Sequence, residues 1–239
     1  MQNLERHKTI AVIPALNEEG RIGVTVKKTI DFVDEVVVVN DGSSDSTVEE
    51  AKQAGANVLS HKKNKGVGAA IRTGIDYAIK KDYHICVVLG GDDQDKPSQI
   101  PDLIKTINEG YDFVQGSRYL RRGDIINIPL FRRVTTKFYS LFFGILAGFP
   151  ITDGTNGFRA FRLNLFKNKK INIWQEWLNR YELEPYLYFK CILEKLKVKE
   201  TPVTKKYPYG EEDYTKMIPL LDWWRITRPL IYLKFKIKK

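Results

Sequence analysis

Three carboxylates and an amide stand together in Gly90-Gly91-Asp92-Asp93-Gln94-Asp95, directly after the apolar run Ile85–Leu89. An oxygen-rich set of this kind suits a hard divalent cation, and Mg²⁺ or Mn²⁺ bridging a diphosphate is the expected occupant. The flanking glycines favour a ligand that approaches the backbone closely. The plainer alternative is an acidic, solvated loop capping the next helix. A second polar loop, Asn40–Thr47 (NDGSSDST), follows the apolar run Glu35–Val39. Asp41, fixed at such a strand end, can accept hydrogen bonds from a base or ribose, whereas a turn plus helix cap would explain the same residues. A third segment, Asn64–Ala70 (NKGVGAA), sets Lys65 beside backbone N–H groups at a helix start. It resembles a phosphate-cradling turn but lacks the full GxGxxG and Walker A patterns, and a plain glycine turn fits equally well.

The fourth constellation is cationic: Arg118, Arg121, Arg122, Arg132, Arg133 and Lys137. Arginine forks match phosphate oxygens; the alternative is solvated surface charge. An uncharged apolar segment, Phe138–Thr152, follows at once. Cations beside apolar surface suit a phosphate carried on a lipid. His7, His61, His84, Met217, Cys86 and Cys191 share no motif, so core or surface roles are expected for them.

These groups need a frame, and the first half of the chain supplies one by alternating short β-branched runs with helix-period segments. Strands are expected at Thr9–Ile13, Glu35–Val39, Asn57–Leu59, Ile85–Leu89 and Asp112–Gln115. Helices are expected over Asn17–Phe32, Thr47–Ala54, Val67–Lys80 and Ser98–Asn108. Continuous apolar strands alternating with helices imply a mostly parallel sheet with right-handed crossovers. The polar loops at Pro14, Asp41 and Gly90 then fall at strand C-terminal ends, the edge on which open α/β sheets bind ligands. Beyond Gly116 the rhythm changes, with a Gly/Asn turn at Asp153–Gly157, helical text over Ile173–Leu196 and one more strand at Val198–Val203.

The 239 residues carry 39 Lys+Arg against 29 Asp+Glu, a net charge of +10. The excess is uneven: residues 1–110 hold 14 against 17, a net of −3, and residues 111–239 hold 25 against 12, a net of +13. A basic back half points to an anionic partner. No nucleic-acid recognition motif is present, so nucleic acid is not expected. Two distant cysteines exclude a disulfide framework or zinc site and suggest a reducing compartment. The start, MQNLERHKTI, lacks a signal-peptide core, and no stretch is long enough to span a bilayer. The expected organisation is one domain over residues 1–216 and a basic amphipathic extension over 217–239. The extension would lie at a membrane interface or pack as an ordinary helix on the core. The expected location is cytoplasmic, peripheral on the inner face of the membrane.

Taken together, the segments resemble inverting family 2 glycosyltransferases of the GT-A fold, most similarly the dolichol- or polyprenyl-phosphate mannosyl- and glucosyltransferases. The resemblance covers Thr9–Lys216 and rests on seven elements in order: Pro14–Glu19, Asn40–Asp45, Asn64–Gly66, Gly91–Gln94, Gly116–Arg118, Arg132-Arg133, and Asp153 with Asn156–Arg159. It implies an α/β, Rossmann-like, mostly parallel sheet with helices on both faces. It further implies transfer of a hexose from a GDP-mannose- or UDP-glucose-type donor to a polyprenyl phosphate. Pro14, Leu16, Glu18 and Asp41 would hold the nucleotide, with Lys65, Gly91 and Asp93 completing the donor contacts. Asp92 and Gln94 would bind the Mg²⁺ or Mn²⁺; Arg118, Arg132 and Thr136 would hold the acceptor phosphate; Asp153 would lie near the transferred sugar. Asp92, Arg118, Arg132 and Asp153 form the implied catalytic set.

Three positions depart from the family pattern: Leu16 replaces an aromatic residue, Asn40 an aspartate, and Gly90 the first carboxylate of the metal motif, for which Asp93 or Asp95 would compensate. Two alternatives stand beside the main expectation. One is a hydroxyl acceptor on a growing glycan, which needs a carboxylate base such as Asp153, Glu182 or Glu184. The other is an inactive donor-binding scaffold. A phosphate monoester, already anionic with a second pKa near 6, needs cations and no base.

Overall fold

The computed structural model describes residues 7–207, 216–218 and 220–238. Residues 1–6, and the approach to the 216/217 boundary at 208–215, lie outside the described residues. The sheet is built on the apolar runs. Strands β1 (Thr9–Ala15), β2 (Glu35–Asn40), β3 (Asn57–Ser60) and β4 (Ile85–Val88) pair in parallel. Beyond β4 come β5 (Phe113–Ser117), β7 (Arg159–Arg162) and β8 (Val198–Pro202), in the order β3-β2-β1-β4-β7-β5-β8. Two further strands, β6 (Asp124–Ile126) and β9 (Thr204–Lys206), form a separate parallel pair.

Side chains alternate faces along each strand. Ala11, Ile13, Val36, Val38, Ile85 and Val87 pack under α1 (Ile22–Thr29), α2 (Thr47–Gln53) and α4 (Ile100–Asn108). Ile10, Val12, Val37, Val39, Cys86 and Val88 pack under α3 (Val67–Lys80) and α6 (Leu183–Leu193). Both faces are covered, which is why these strands read as unbroken apolar runs. The mostly parallel α/β sheet with helices on both faces agrees with the expectation.

Four elements differ from it. The first helix begins at Ile22, not Asn17, because Asn17 (φ 51°) and Gly20 (φ 78°) hold left-handed backbone that a right-handed helix cannot include, and the N–H groups of residues 17–20 bond to side chains instead. Asn17 donates to Ser43 Oγ (2.9 Å), Glu18 to Thr47 Oγ1 (2.8 Å), Glu19 to Asp45 Oδ2 (3.1 Å) and Gly20 to the Glu50 carboxylate (2.8 Å). The loop after β1 is thereby tied to the loop after β2. Strand β7, antiparallel to both neighbours, was not expected; its RAFR text is short and polar at both ends. Within Ile173–Leu196 only α6 is α-helical; the stretch before it is irregular apart from one 3₁₀ turn at Glu176–Leu178, and Arg72 ties it down through the Ile173 and Gln175 carbonyls (3.1 and 2.8 Å). Finally, Arg132, Arg133 and Lys137 of the basic cluster share one helix, α5 (Leu130–Ala147), with most of the apolar segment, and Gly148 in the left-handed conformation ends it. The C-terminal α7 (Leu221–Lys234) lies against α5 and α6 and sends Leu230 and Leu233 into the core. Among the described residues, no helix is long and apolar enough to cross a membrane.

Candidate active site

The chain runs β1 to β2 to β3 outward on one side and then returns to place β4 on the other side of β1. The switch point therefore lies between the C-terminal ends of β1 and β4, where open α/β sheets leave a crevice. A cleft of about 990 Å³ opens there. Pro14, Leu16 and Glu18 line it from β1, Asp41 from β2, and Gly90, Gly91, Asp92 and Gln94 from β4. Arg118, Arg132 and Thr136 line its far side. The cleft thus gathers most of the residues expected from the sequence, and leaves Lys65, Asp93 and Asp153 off its wall.

Each absence has a physical reason. Asp41 is buried and holds the loop after β3: it accepts the Lys65 and Gly66 backbone N–H groups (2.9 and 2.7 Å) and pairs with His61 Nδ1 at 2.7 Å. Lys65 contributes its backbone to this knot. Gly66 is required in it, because its φ of 104° places an ideal Cβ only 2.4 Å from the Asn179 carbonyl. Asp93 turns away and is gripped by Lys28 Nζ at 2.8 Å. Asp95 is bound by Lys205 Nζ at 3.1 Å and by the Gly90 N–H at 3.0 Å. Neither Asp93 nor Asp95 therefore substitutes for a carboxylate at position 90. Burial alone would lower the Lys205 ammonium, but Asp95 and then Asp92 outweigh it and raise it.

Asp92 is the carboxylate that the β4 loop presents to the cleft. Its Oδ1 accepts the Gln94 N–H at 3.2 Å and sits 2.9 Å from where a Cβ on Gly90 would be. A side chain at position 90 would thus displace Asp92 rather than join it. Among the described residues, no three His, Cys, Asp or Glu side chains group closely enough to cage a metal. Mg²⁺ is commonly held by one or two carboxylates together with substrate phosphates, and Asp92 with the Gln94 amide beside it fits that mode. Glu18 is near enough for Asp92 to add to the upward push that burial gives its carboxyl, which Lys216 and Arg21 partly oppose.

On the far side Arg118 and Asp153 are buried against each other. Arg118 Nε and Nη2 donate to the two Asp153 oxygens at 2.7 Å each, Nη2 also reaches Thr155 Oγ1 and Nη1 reaches Tyr207 Oη, both at 2.6 Å. Burial opposes the guanidinium charge, and Asp153 more than restores it, so Arg118 stays firmly protonated. Asp153 is buried as the counter-ion of Arg118 and does not itself line the cleft. Arg132 and Thr136 are one turn apart on α5, with the Arg132 guanidinium 5.3 Å from the Tyr207 ring centroid and Thr136 bonded to Tyr119 Oη. The sequence did not single out Arg21, Arg180, Tyr181, Lys205 and Lys216, which also line the cleft, and it gave Arg159, the last residue of the seventh element, no role of its own. Single polar residues outside a recognisable motif carry no spacing signal. Glu184, considered as a base, lines the cleft too, its Oε1 bonded to Arg159 Nη2 at 2.9 Å.

This arrangement of β1, β2 and β4 loops is one that a known family shares. A model of glycosyl transferase family 2 matches residues 10–169, about two thirds of the chain. The chain belongs to that family. As a family 2 glycosyltransferase it is 30% identical to the UDP-N-acetylglucosamine–dolichyl-phosphate N-acetylglucosaminyltransferase of Methanococcus voltae, over 93% of this chain and 94% of that protein. It is 28% identical to the polyprenol monophosphomannose synthase of Mycolicibacterium smegmatis, over 82% of this chain and 77% of that one. Among solved structures it resembles glucosyl-3-phosphoglycerate synthase of Mycobacterium tuberculosis in complex with Mn²⁺ and UDP-glucose. There the TM-score is 0.71 at 19% identity, covering 98% of this chain and 81% of that one, a likeness of fold.

Proposed function

We propose that this glycosyltransferase moves a hexose from a nucleoside diphosphate-sugar of the GDP-mannose or UDP-glucose type to a polyprenyl phosphate, with inversion, at the cytoplasmic surface of a membrane. The observation that carries this reading is α5. One face of the helix turns Arg132 and Thr136 into the cleft, while Leu130, Phe131, Val134, Phe138, Leu141 and Ile145 are exposed on the same helix. A phosphate headgroup meets a guanidinium and a hydroxyl there, and its prenyl tail meets apolar surface within one helix turn. The two relatives named above, whose names specify a dolichyl-phosphate acceptor and a polyprenol phosphomannose product, support the same acceptor class.

The chemistry needs little else. A phosphate monoester arrives as its own nucleophile, so the residues have to bind, align and keep water away rather than remove a proton. Arg132 orients the attacking oxygen, assisted by the Nη1 hydrogen that Arg118 retains beyond its bonds to Asp153, Thr155 and Tyr207. Pro14, Leu16 and Glu18 would seat the nucleoside, and Asp92 and Gln94 would hold Mg²⁺ or Mn²⁺. When bound, that ion supplies positive charge for the leaving diphosphate. Attack from the α5 side, opposite the β4 loop, inverts the sugar.

The test is transfer of label from GDP-[¹⁴C]mannose and UDP-[¹⁴C]glucose by the purified full chain, with polyprenyl phosphate or a lipid-free oligosaccharide as acceptor. Mg²⁺-dependent label in the lipid fraction is expected. Efficient transfer to the oligosaccharide, with none to lipid, would overturn the acceptor. That result would favour Glu184 as base for a hydroxyl acceptor, since its carboxylate lines the cleft.

A further inference from the structure

Lys216 touches residues nearly 200 positions away, at the donor end of the cleft. Its ammonium donates to the carbonyls of Leu16 and Asn17, the latter at 3.1 Å, and to Glu18 Oε1. Three acceptors use all three ammonium protons. The second Glu18 oxygen lies 3.0 Å from Arg21 Nη2, so the carboxylate is held between two cations. Two residues on, the chain is anchored: the Ile218 N–H donates to Asp222 Oδ2 at 2.6 Å and Asp222 N–H returns to the Ile218 carbonyl at 2.9 Å. Asp222 binds Arg225 Nη1 at 2.7 Å, and Arg228 binds Glu182 at the head of α6. Ile218, Trp223 and Ile226 form the wall of the same cleft that faces α5, with the Trp223 ring 6.1 Å from that of Phe131.

The groups Lys216 covers are all hydrogen-bond acceptors, and they stand at the switch-point crevice, where the fold binds ligands. A nucleobase and ribose offer the complementary set, N–H and O–H donors. We propose that the Lys216 ammonium and the nucleoside of the donor compete for the Leu16, Asn17 and Glu18 acceptors. Binding of donor therefore moves Lys216 and, through Ile218, the start of α7. Donor occupancy is thus linked to the acceptor wall by a displaced side chain, and the coupling is reciprocal. Three observations support this: Lys216 lines the cleft, its partners are acceptors of the loop that follows β1 at the switch point, and Ile218, two residues on, exchanges hydrogen bonds with Asp222 at the start of α7. The inference rests on the donor reading above.

The experiment compares wild type, Lys216→Met and Lys216→Arg, each as the full chain. Uridine and guanosine, which lack phosphate that would attract the ammonium, are titrated alongside UDP and GDP with Mg²⁺. Loss of one charge-assisted competitor tightens nucleoside binding about tenfold in Lys216→Met, and Lys216→Arg stays near wild type. Nucleotide-induced change in hydrogen exchange at the Asp222–Arg225 amides is expected in wild type and absent from Lys216→Met. Nucleoside affinity that is unchanged or weaker in Lys216→Met overturns the proposal, because Lys216 is then idle or a direct ligand. If neither UDP nor GDP binds wild type, the donor reading itself falls and takes this inference with it.

Discussion

Asp153 and Arg118 are joined at two points in a dry environment, with both carboxylate oxygens on the guanidinium at 2.7 Å and Asp153 0% exposed. The backbone around Asp153 is held in turn by Glu200, which accepts the Thr152 and Asp153 N–H groups at 2.9 Å. Asp153→Ala leaves a buried guanidinium without its counter-ion, a change that typically costs about 3–5 kcal/mol. The urea midpoint of Asp153→Ala should fall accordingly, and Asp153→Asn should also lose stability. An unchanged midpoint with impaired turnover would make Asp153 a reacting group instead of a strut.

Arg132 should behave in the opposite way. It is partly exposed, lines the cleft and leans on the Tyr207 ring. Arg132→Ala should lower kcat/KM for polyprenyl phosphate about 100-fold, the loss expected for one charged phosphate contact. Nucleoside diphosphate affinity should stay within about twofold and the urea midpoint close to wild type. A matching fall in nucleotide affinity would move Arg132 to the donor side.

Position 90 can be tested without adding charge. An alanine methyl there would sit 2.9 Å from Asp92 Oδ1 and push that carboxylate away. Mn²⁺-dependent binding of UDP or GDP, followed by calorimetry, should weaken about tenfold in Gly90→Ala. Binding without metal should change little. If Gly90→Ala binds Mn²⁺-nucleotide as wild type does, Asp92 is not the group that holds the ion.

The contrast between these residues explains what the sequence could and could not disclose. Strands such as Glu35–Asn40 were legible because burial on both faces demands an unbroken apolar run. Asp92, Arg118 and Arg132 stood out by type and by position after strands. Asp153 was singled out through the family resemblance; its partner lies 35 residues away, and only the folded chain shows the pair. Asp93 and Asp95 read alike with Asp92 until Lys28 and Lys205 arrive from distant elements. Strand β7 was hidden because four residues ending in arginine at each side carry no period. Lys216 was invisible for the same reason: a single lysine in loop text points nowhere until its partners are known.

Acid should weaken the fold through Glu35. Burial pushes this carboxyl up, but hydrogen bonds from Tyr83, Asn57 and Tyr77, with Lys8 nearby, outweigh it and hold the group below its ordinary value. A folded-state pKa below the unfolded one contributes stability that is present above the unfolded value. That stability is lost as pH falls through the folded one. The melting temperature should therefore drop between about pH 5 and pH 3, and Glu35→Gln should start lower at neutral pH and fall less steeply over that range. Parallel curves for the two proteins would remove Glu35 as the cause.

The exposed ridge of α5 sets the last expectation. Val134, Phe138, Leu141 and Ile145 recur at spacings of four, three and four, so they share one face of the helix. Phe138 is 72% and Leu141 59% exposed, and Arg133 and Lys137 are exposed on the same helix. Apolar side chains flanked by cations match the interface of an anionic bilayer. Because both side chains already face solvent, Phe138→Glu combined with Leu141→Glu should change stability by no more than about 1 kcal/mol. Withdrawing two large apolar groups from a lipid interface, and adding two negative charges, should lower co-sedimentation with phosphatidylglycerol vesicles at least about 100-fold. Transfer to a polyprenyl phosphate in detergent should fall as well, because Phe138 also lines the cleft, whereas UDP and GDP affinity should stay near wild type. Unchanged vesicle binding by the double variant would show that this ridge faces something other than the membrane.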